Sequence, residues 1–317
     1  MKVGSFGTIG TTATTHSSGK DFVFNSSLQY FRQNGWNFNA TDQNNVNKTQ
    51  VYDQNNFGFS LSSSYKNLSI RTLYGSSDLG VMGDLPIWNA NGTFNSVNAY
   101  RGLFDIGHTL NYNRSQYATV NFTFNSFKQK SNRDGSPADY HSNDGLLEYT
   151  HFFRPSDKLN VVAGALTTYI TGEATSTDLA TSLPYFPVSE YDEWRWAAYV
   201  QADYLLLPQL KVIGGGQLNK VPGNDWDFVP RLGAIYNITS ELGIKALYGQ
   251  AFKSAAANEK FSNVTNTLYG NQTLAPEKVT TYDLQFFFQR PSYQFTASAF
   301  RSEIENIVVR KRFEQLP

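Results

Sequence analysis

The feature that most restricts this chain is a strict two-residue alternation, cleanest between Arg231 and Ile307. Leu232, Ala234, Tyr236 and Ile238 are apolar, with Arg231, Gly233 and Asn237 between them. After a turn at Asn237 to Glu241, Leu242, Ile244, Ala246 and Tyr248 repeat the pattern, with Lys245 on the other phase. A long polar loop, Lys253 to Pro276, follows. Then Tyr282, Leu284, Phe286 and Phe288 share one phase, as do Tyr293, Phe295, Ala297 and Ala299. Successive side chains of a strand point to opposite sheet faces. Each strand therefore has one oily, aromatic face and one face of Arg, Lys, Asp, Gln, Thr and Gly. A strand with lipid on one side and a wet lumen on the other needs that division.

The same alternation runs through the rest of the chain. Phe57, Phe59, Leu61 and Tyr65 oppose Gly58, Ser60, Ser62 and Ser64. The cleanest single strand has Trp194, Trp196, Ala198, Val200, Ala202 and Tyr204 on one side and Glu193, Arg195, Gln201 and Asp203 on the other. Phe6-Gly7 reads as a tight reversal. Short turns alternate with long connections, expected at 35–55, 76–102, 130–144, 171–192 and 219–227. The pattern predicts about fifteen strands in one array, with no linker or domain boundary over residues 1–317. Short turns at one end and long loops at the other are the habit of outer-membrane barrels.

Several short motifs fall in one order. They are Tyr248-Gly249, Ala251-Phe252-Lys253, Asn258-Glu259, Gly270-Asn271, Leu274, Pro276-Glu277-Lys278 and Ala299-Phe300. This stretch resembles the barrel pattern of TonB-dependent outer-membrane receptors. The opening Lys2 to Thr8 is similar to the start of that barrel. Two positions depart: Ala255 stands where the pattern has Pro, and Lys260 where it has Leu. The resemblance implies an all-β, transmembrane, antiparallel up-and-down barrel of about twenty-two strands. About fifteen would leave it open, and an open edge in hydrocarbon is not tolerated. Nor does any apolar run follow Lys2 as in a signal peptide. The expectation is an incomplete barrel, with further strands missing at the C-terminus and a plug domain missing at the N-terminus.

Composition narrows the alternatives. Lys plus Arg and Asp plus Glu number 26 each, so the basic excess of a nucleic-acid binder is absent. With no Cys there is neither a disulfide framework nor a thiolate metal site. No apolar run is long enough to cross a membrane as a helix. The four histidines, His16, His108, His141 and His151, stand apart and read as isolated polar residues, not as a metal site. Gly214-Gly215-Gly216 lies within a strand and marks close packing, not a phosphate loop. Asn143-Asp144-Gly145 reads as polar turn chemistry ahead of calcium ligation. No catalytic, cofactor or metal site is expected, and the chain is not read as an enzyme.

Two groups of candidate residues remain. Arg71, Arg195, Asp203, Arg231, Lys245 and Asp283 fall on the polar phase. A wet lumen accommodates them without further cause; contact with a plug is the functional alternative. Trp88, Tyr100, Tyr185, Trp226 and Tyr269 lie in or beside long loops, where rings can stack on an entering ligand or pack the loops together. Trp194, Tyr204, Tyr65 and Tyr282 suit an interfacial girdle.

By resemblance, the whole protein would capture a scarce nutrient, such as a ferric siderophore or cobalamin, in the outer membrane. The TonB complex would energise it through the plug. A passive porin-like channel, or a soluble all-β carbohydrate-binding module, would share the alternation. The soluble module requires two apolar faces meeting in a closed core.

Overall fold

The computed structural model describes residues 1–41, 47–51, 53–80, 96–133, 136–177, 184–264 and 268–311. Its first strands are β1 (Lys2–Gly4), β2 (Thr8–Ser18), β3 (Phe22–Gln33), β4 (Asn37–Thr41) and β5 (Asn47–Val51). Next come β6 (Gln54–Tyr65), β7 (Leu68–Gly80), β8 (Ser96–Asn113), β9 (Gln116–Arg133) and β10 (Ser136–Ser156). Then follow β11 (Leu159–Thr177), β12 (Pro184–Leu207), β13 (Leu210–Lys220), β14 (Asp227–Asn237) and β15 (Leu242–Lys253). A short helix α1 (Ala257–Phe261) precedes the small strands β16 (Asn263–Val264) and β17 (Leu268–Tyr269). The long strands β18 (Glu277–Arg290) and β19 (Tyr293–Glu305) come last.

Fifteen strands form one sheet in chain order, interrupted only where β4–β5 and β16–β17 make separate two-stranded hairpins. Every neighbouring pair is antiparallel, from β1–β2 to β18–β19. The ends, β1 and β19, do not pair with each other, so the sheet is an incomplete barrel wall.

The register keeps the two phases apart across strands. Gly214, Leu232, Tyr248 and Tyr282 line up on the apolar face of β13, β14, β15 and β18. Next to them on the polar face, Gly215, Arg231 and Gly249 line up. No large side chain is fully buried among the described residues. Trp194, Trp196, Leu232 and Leu284 are 50 to 55% exposed, and no second large sheet covers them. The stacked core that a soluble module requires does not form. A contiguous oily surface of this extent calls for lipid or a partner.

Two expected loops are strands instead. Residues 130–133 and 136–144 continue the β9–β10 ladder, with Lys130 opposite Asp139 and Gln129 opposite Tyr140. Residues 171–192 continue β11 and β12 as far as Thr177 and Pro184. Neither stretch alternates oily with polar residues, so the period-two signal disappears while the backbone pairing persists. For the same reason Asn143-Asp144-Gly145 is mid-strand, not a turn, and Asp144 accepts a 2.8 Å bond from Asn125 Nδ2. The Phe6-Gly7 reversal forms as expected, with φ of 58° and 66°. Such paired positive angles define the tight hairpin turn whose twist matches its strands.

Gly215 occupies the close approach anticipated for the glycine run. A Cβ there would lie 2.5 Å from the Val200 carbonyl oxygen and 2.8 Å from the Gln201 Cα, both backbone atoms of β12. Gly215→Ala should therefore force β12 and β13 apart and cost about 1–3 kcal/mol, read from a urea midpoint. Gly214→Ala, whose Cβ meets only a Leu232 methyl at 3.8 Å, is the control and should be nearly neutral.

Candidate functional site

The polar face is a wall of partly satisfied charges. Asp203 receives Lys211 Nζ at 2.7 Å and Asn160 Nδ2 at 3.1 Å. Lys245 sits 5.0 Å over the Phe287 ring. Arg71 stands opposite Asp105, which accepts from Thr123 Oγ1 at 2.8 Å. Arg231 lies opposite Gly249, and Asp283 opposite Leu247. Asp283 Oδ1 is buried without a hydrogen-bond partner. Tyr199 lies across Gly164, its hydroxyl bonded to Glu148 at 2.8 Å and Thr150 at 2.7 Å. The six predicted charges are spread over β7, β12, β14, β15 and β18 and form no single cluster.

A site that sequence reasoning missed centres on Glu193. The loop after β15 passes β14 and β13 and docks on β12. There Lys260, from α1, ion-pairs with Glu193, and both side chains are about 95% buried. Arg195 Nη2 holds the other Glu193 oxygen at 2.8 Å. Phe261 stacks on Tyr191 with centroids 5.0 Å apart and planes at 5°. Ser262 and Val188 form an antiparallel bridge. Glu193 lies one residue beyond the Trp194 ring, toward the long loops. Burial alone would raise its pKa, but Lys260 and Arg195 outweigh burial and hold the carboxyl below its ordinary range. The only sequence signal was Lys260 itself, standing where the resembled pattern has Leu.

The other motif residues fold this loop. Glu259 Oε2 accepts from the Ala256 N–H at 2.6 Å, and the Glu259 carbonyl accepts from the Asn271 N–H at 2.9 Å. A Cβ on Gly270 would lie 2.5 Å from the Lys260 carbonyl, so only glycine lets the hairpin return this closely. Glu277 ties Lys253 at 3.0 Å and the Val308 N–H at 2.8 Å. Lys278 ion-pairs with Asp227 on β14.

The aromatic candidates scatter. Trp88 lies outside the described residues. Tyr100 is on β8, in phase with Phe104 on the oily face. Tyr185 is on β12, opposite Ser176. Trp226 is exposed in the β13–β14 connection, and Tyr269, on β17, lines a cavity of about 580 Å³. Trp194, Tyr204, Tyr65 and Tyr282, expected as a girdle, are all at least 40% exposed. Among the described residues, no group of three His, Asp or Glu side chains is placed to hold a metal ion.

A family model for the TonB-dependent receptor-like β-barrel matches residues 4–313. The chain belongs to that family, an outer-membrane family of receptors and transporters and not of enzymes. No curated protein matches it in sequence. Among solved structures it is similar to a mutant of the ferric enterobactin receptor PfeA from Pseudomonas aeruginosa. That match has a TM-score of 0.69 at 10% identity, covering 94% of this chain and 53% of that one. It is also similar to the siderophore receptor PiuA from Acinetobacter baumannii, with a TM-score of 0.66, 12% identity, and 94% and 55% coverage. The FrpB iron transporter from Neisseria meningitidis gives a TM-score of 0.66, 12% identity, and 95% and 53% coverage. Identities this low establish likeness of fold. The chain spans about half the length of these structures.

Proposed function

We propose that this chain is the wall of an outer-membrane receptor that imports a ferric siderophore, driven by the TonB complex. The observation carrying the reading is the two-faced sheet, which overlays almost end to end on receptors for ferric enterobactin and other siderophores. The oily face meets membrane lipid, and the polar face surrounds the nutrient path and a plug domain. Arg195 and Asp203 are occupied within the wall, by Glu193 and Lys211. Contact with the plug falls to the other four, Arg71, Arg231, Lys245 and Asp283.

The test is radioactive iron uptake by iron-starved cells expressing the receptor, supplied with a panel of ferric chelates. Uptake of at least one chelate should stop when a protonophore collapses the membrane potential. Uptake that continues unchanged would point to a passive channel and overturn the reading. Uptake of cobalamin but of no iron chelate would overturn the cargo assignment alone.

A further inference from the structure

The 580 Å³ cavity beside Tyr269 is a site in its own right. One wall is the loop after β15, contributing Asn258, Tyr269, Asn271 and Leu274; the other is the segment after β19, contributing Ile307, Arg310 and Lys311. The volume suits a drug-sized solute, and the lining is mostly apolar with a few polar groups. Both walls are tied down. The loop is held through Lys260 to Glu193, and through the Asn271 N–H to the Glu259 carbonyl. The tail is held by Val308 N–H on Glu277 at 2.8 Å and Asn306 Nδ2 on the Pro276 carbonyl at 3.4 Å. Lining up to Val308 is thus fixed beforehand and loses little freedom when a ligand enters, with Arg310 and Lys311 just past the last tie.

The charges in it are unequal. Arg310 and Lys311 bring two cations. Among the described residues the one carboxylate in the lining, Glu259, is already engaged by the Ala256 N–H at 2.6 Å and by Lys253 at 3.7 Å. The cavity thus presents net positive charge, a phenol ring and amide side chains around an apolar floor. We propose that this cavity binds a small, multiply anionic, ring-bearing solute at the long-loop end, and so favours anionic over neutral ferric chelates. The inference rests on the iron-import reading above. It adds the charge class of the cargo and the residues that select it.

The experiment uses the receptor as expressed from its gene, purified in detergent, with two synthetic probes. One is the trianionic ferric tris-catecholate complex, the other the neutral ferric tris-acetohydroxamate. Tyrosine and tryptophan fluorescence quenching reads binding. The wild type should bind the trianion at least roughly tenfold more tightly than the neutral complex, with affinity falling as salt rises. R310E/K311E, two exposed side chains whose reversal leaves the sheet intact, should remove that preference. K158E, in a short turn at the opposite end, should keep it. Equal binding of both probes by the wild type, or an unchanged preference in R310E/K311E, would overturn the proposal. Iron-limited growth reads the import function separately: growth on the neutral chelate with no preference at the cavity would sink this site and leave import standing.

Discussion

Glu193→Gln should detach the loop carrying α1 from β12 while the sheet stays folded. The substitution leaves the Lys260 ammonium about 95% buried with no carboxylate against it. Removing one partner of a buried pair costs about 3–5 kcal/mol, because the other charge is stranded. The loop can escape much of that cost by swinging into water, so the loss appears as local opening. Hydrogen exchange and protease cleavage between Lys253 and Leu274 should rise by two orders of magnitude or so, with little change in the unfolding midpoint. Lys260→Met should do less, since Arg195 still neutralises Glu193 at 2.8 Å. Glu193→Leu combined with Lys260→Leu should restore most of the protection, because well-packed apolar residues often replace a buried ion pair without loss. A Glu193→Gln loop as protected as the wild type would refute the anchor. The pH dependence has a definite sign. The Glu193 pKa is depressed in the folded state, so its contribution is present above the unfolded value and lost only as pH falls through the lower, folded one. The anchor should hold at neutral and mildly acidic pH.

Leu232→Arg is the second large effect. Leu232 lies midway along β14 on the oily face, 54% exposed and flanked by Gly214 and Tyr248. An arginine at the bilayer midplane of a barrel costs about 2–4 kcal/mol. Unfolding in phospholipid vesicles should show that loss. Arg231→Leu, one residue away on the polar face, should cost far less in the same assay. Equal costs would mean that the two faces do not meet different solvents.

The sheet was legible because period two is a local property: Trp194 to Tyr204 announces both a strand and its orientation. The strand count was legible for the same reason, one alternating run per strand. What escaped was whatever depends on pairing alone. Residues 130–144 have no oily face, so nothing in their own sequence distinguishes an extended ladder from a loop. The Glu193 anchor escaped for a different reason. Lys260 is separated from Glu193 by 67 positions and belongs to a segment without periodicity. Only folding the loop back past β14 and β13 brings the two together. Tyr100 misled because its polar neighbours suggested a loop, whereas the β8 ladder continues past it and sets its ring on the oily side.

The strands are also uneven in a way that shapes the entrance. β12 has 24 residues and β8 to β11 have 18 to 21, whereas β13, β14 and β15 have only 11 or 12. At about 3.3 Å per residue and a tilt near 40°, β12 climbs roughly 60 Å, against an apolar band of about 25 Å. One flank therefore rises as a stiff parapet about 20 to 35 Å clear of the bilayer, by the same arithmetic, while the neighbouring strands stop low. The loop that carries α1 crosses above that low flank to reach β12, so the parapet also serves as the post on which this roof segment is fastened.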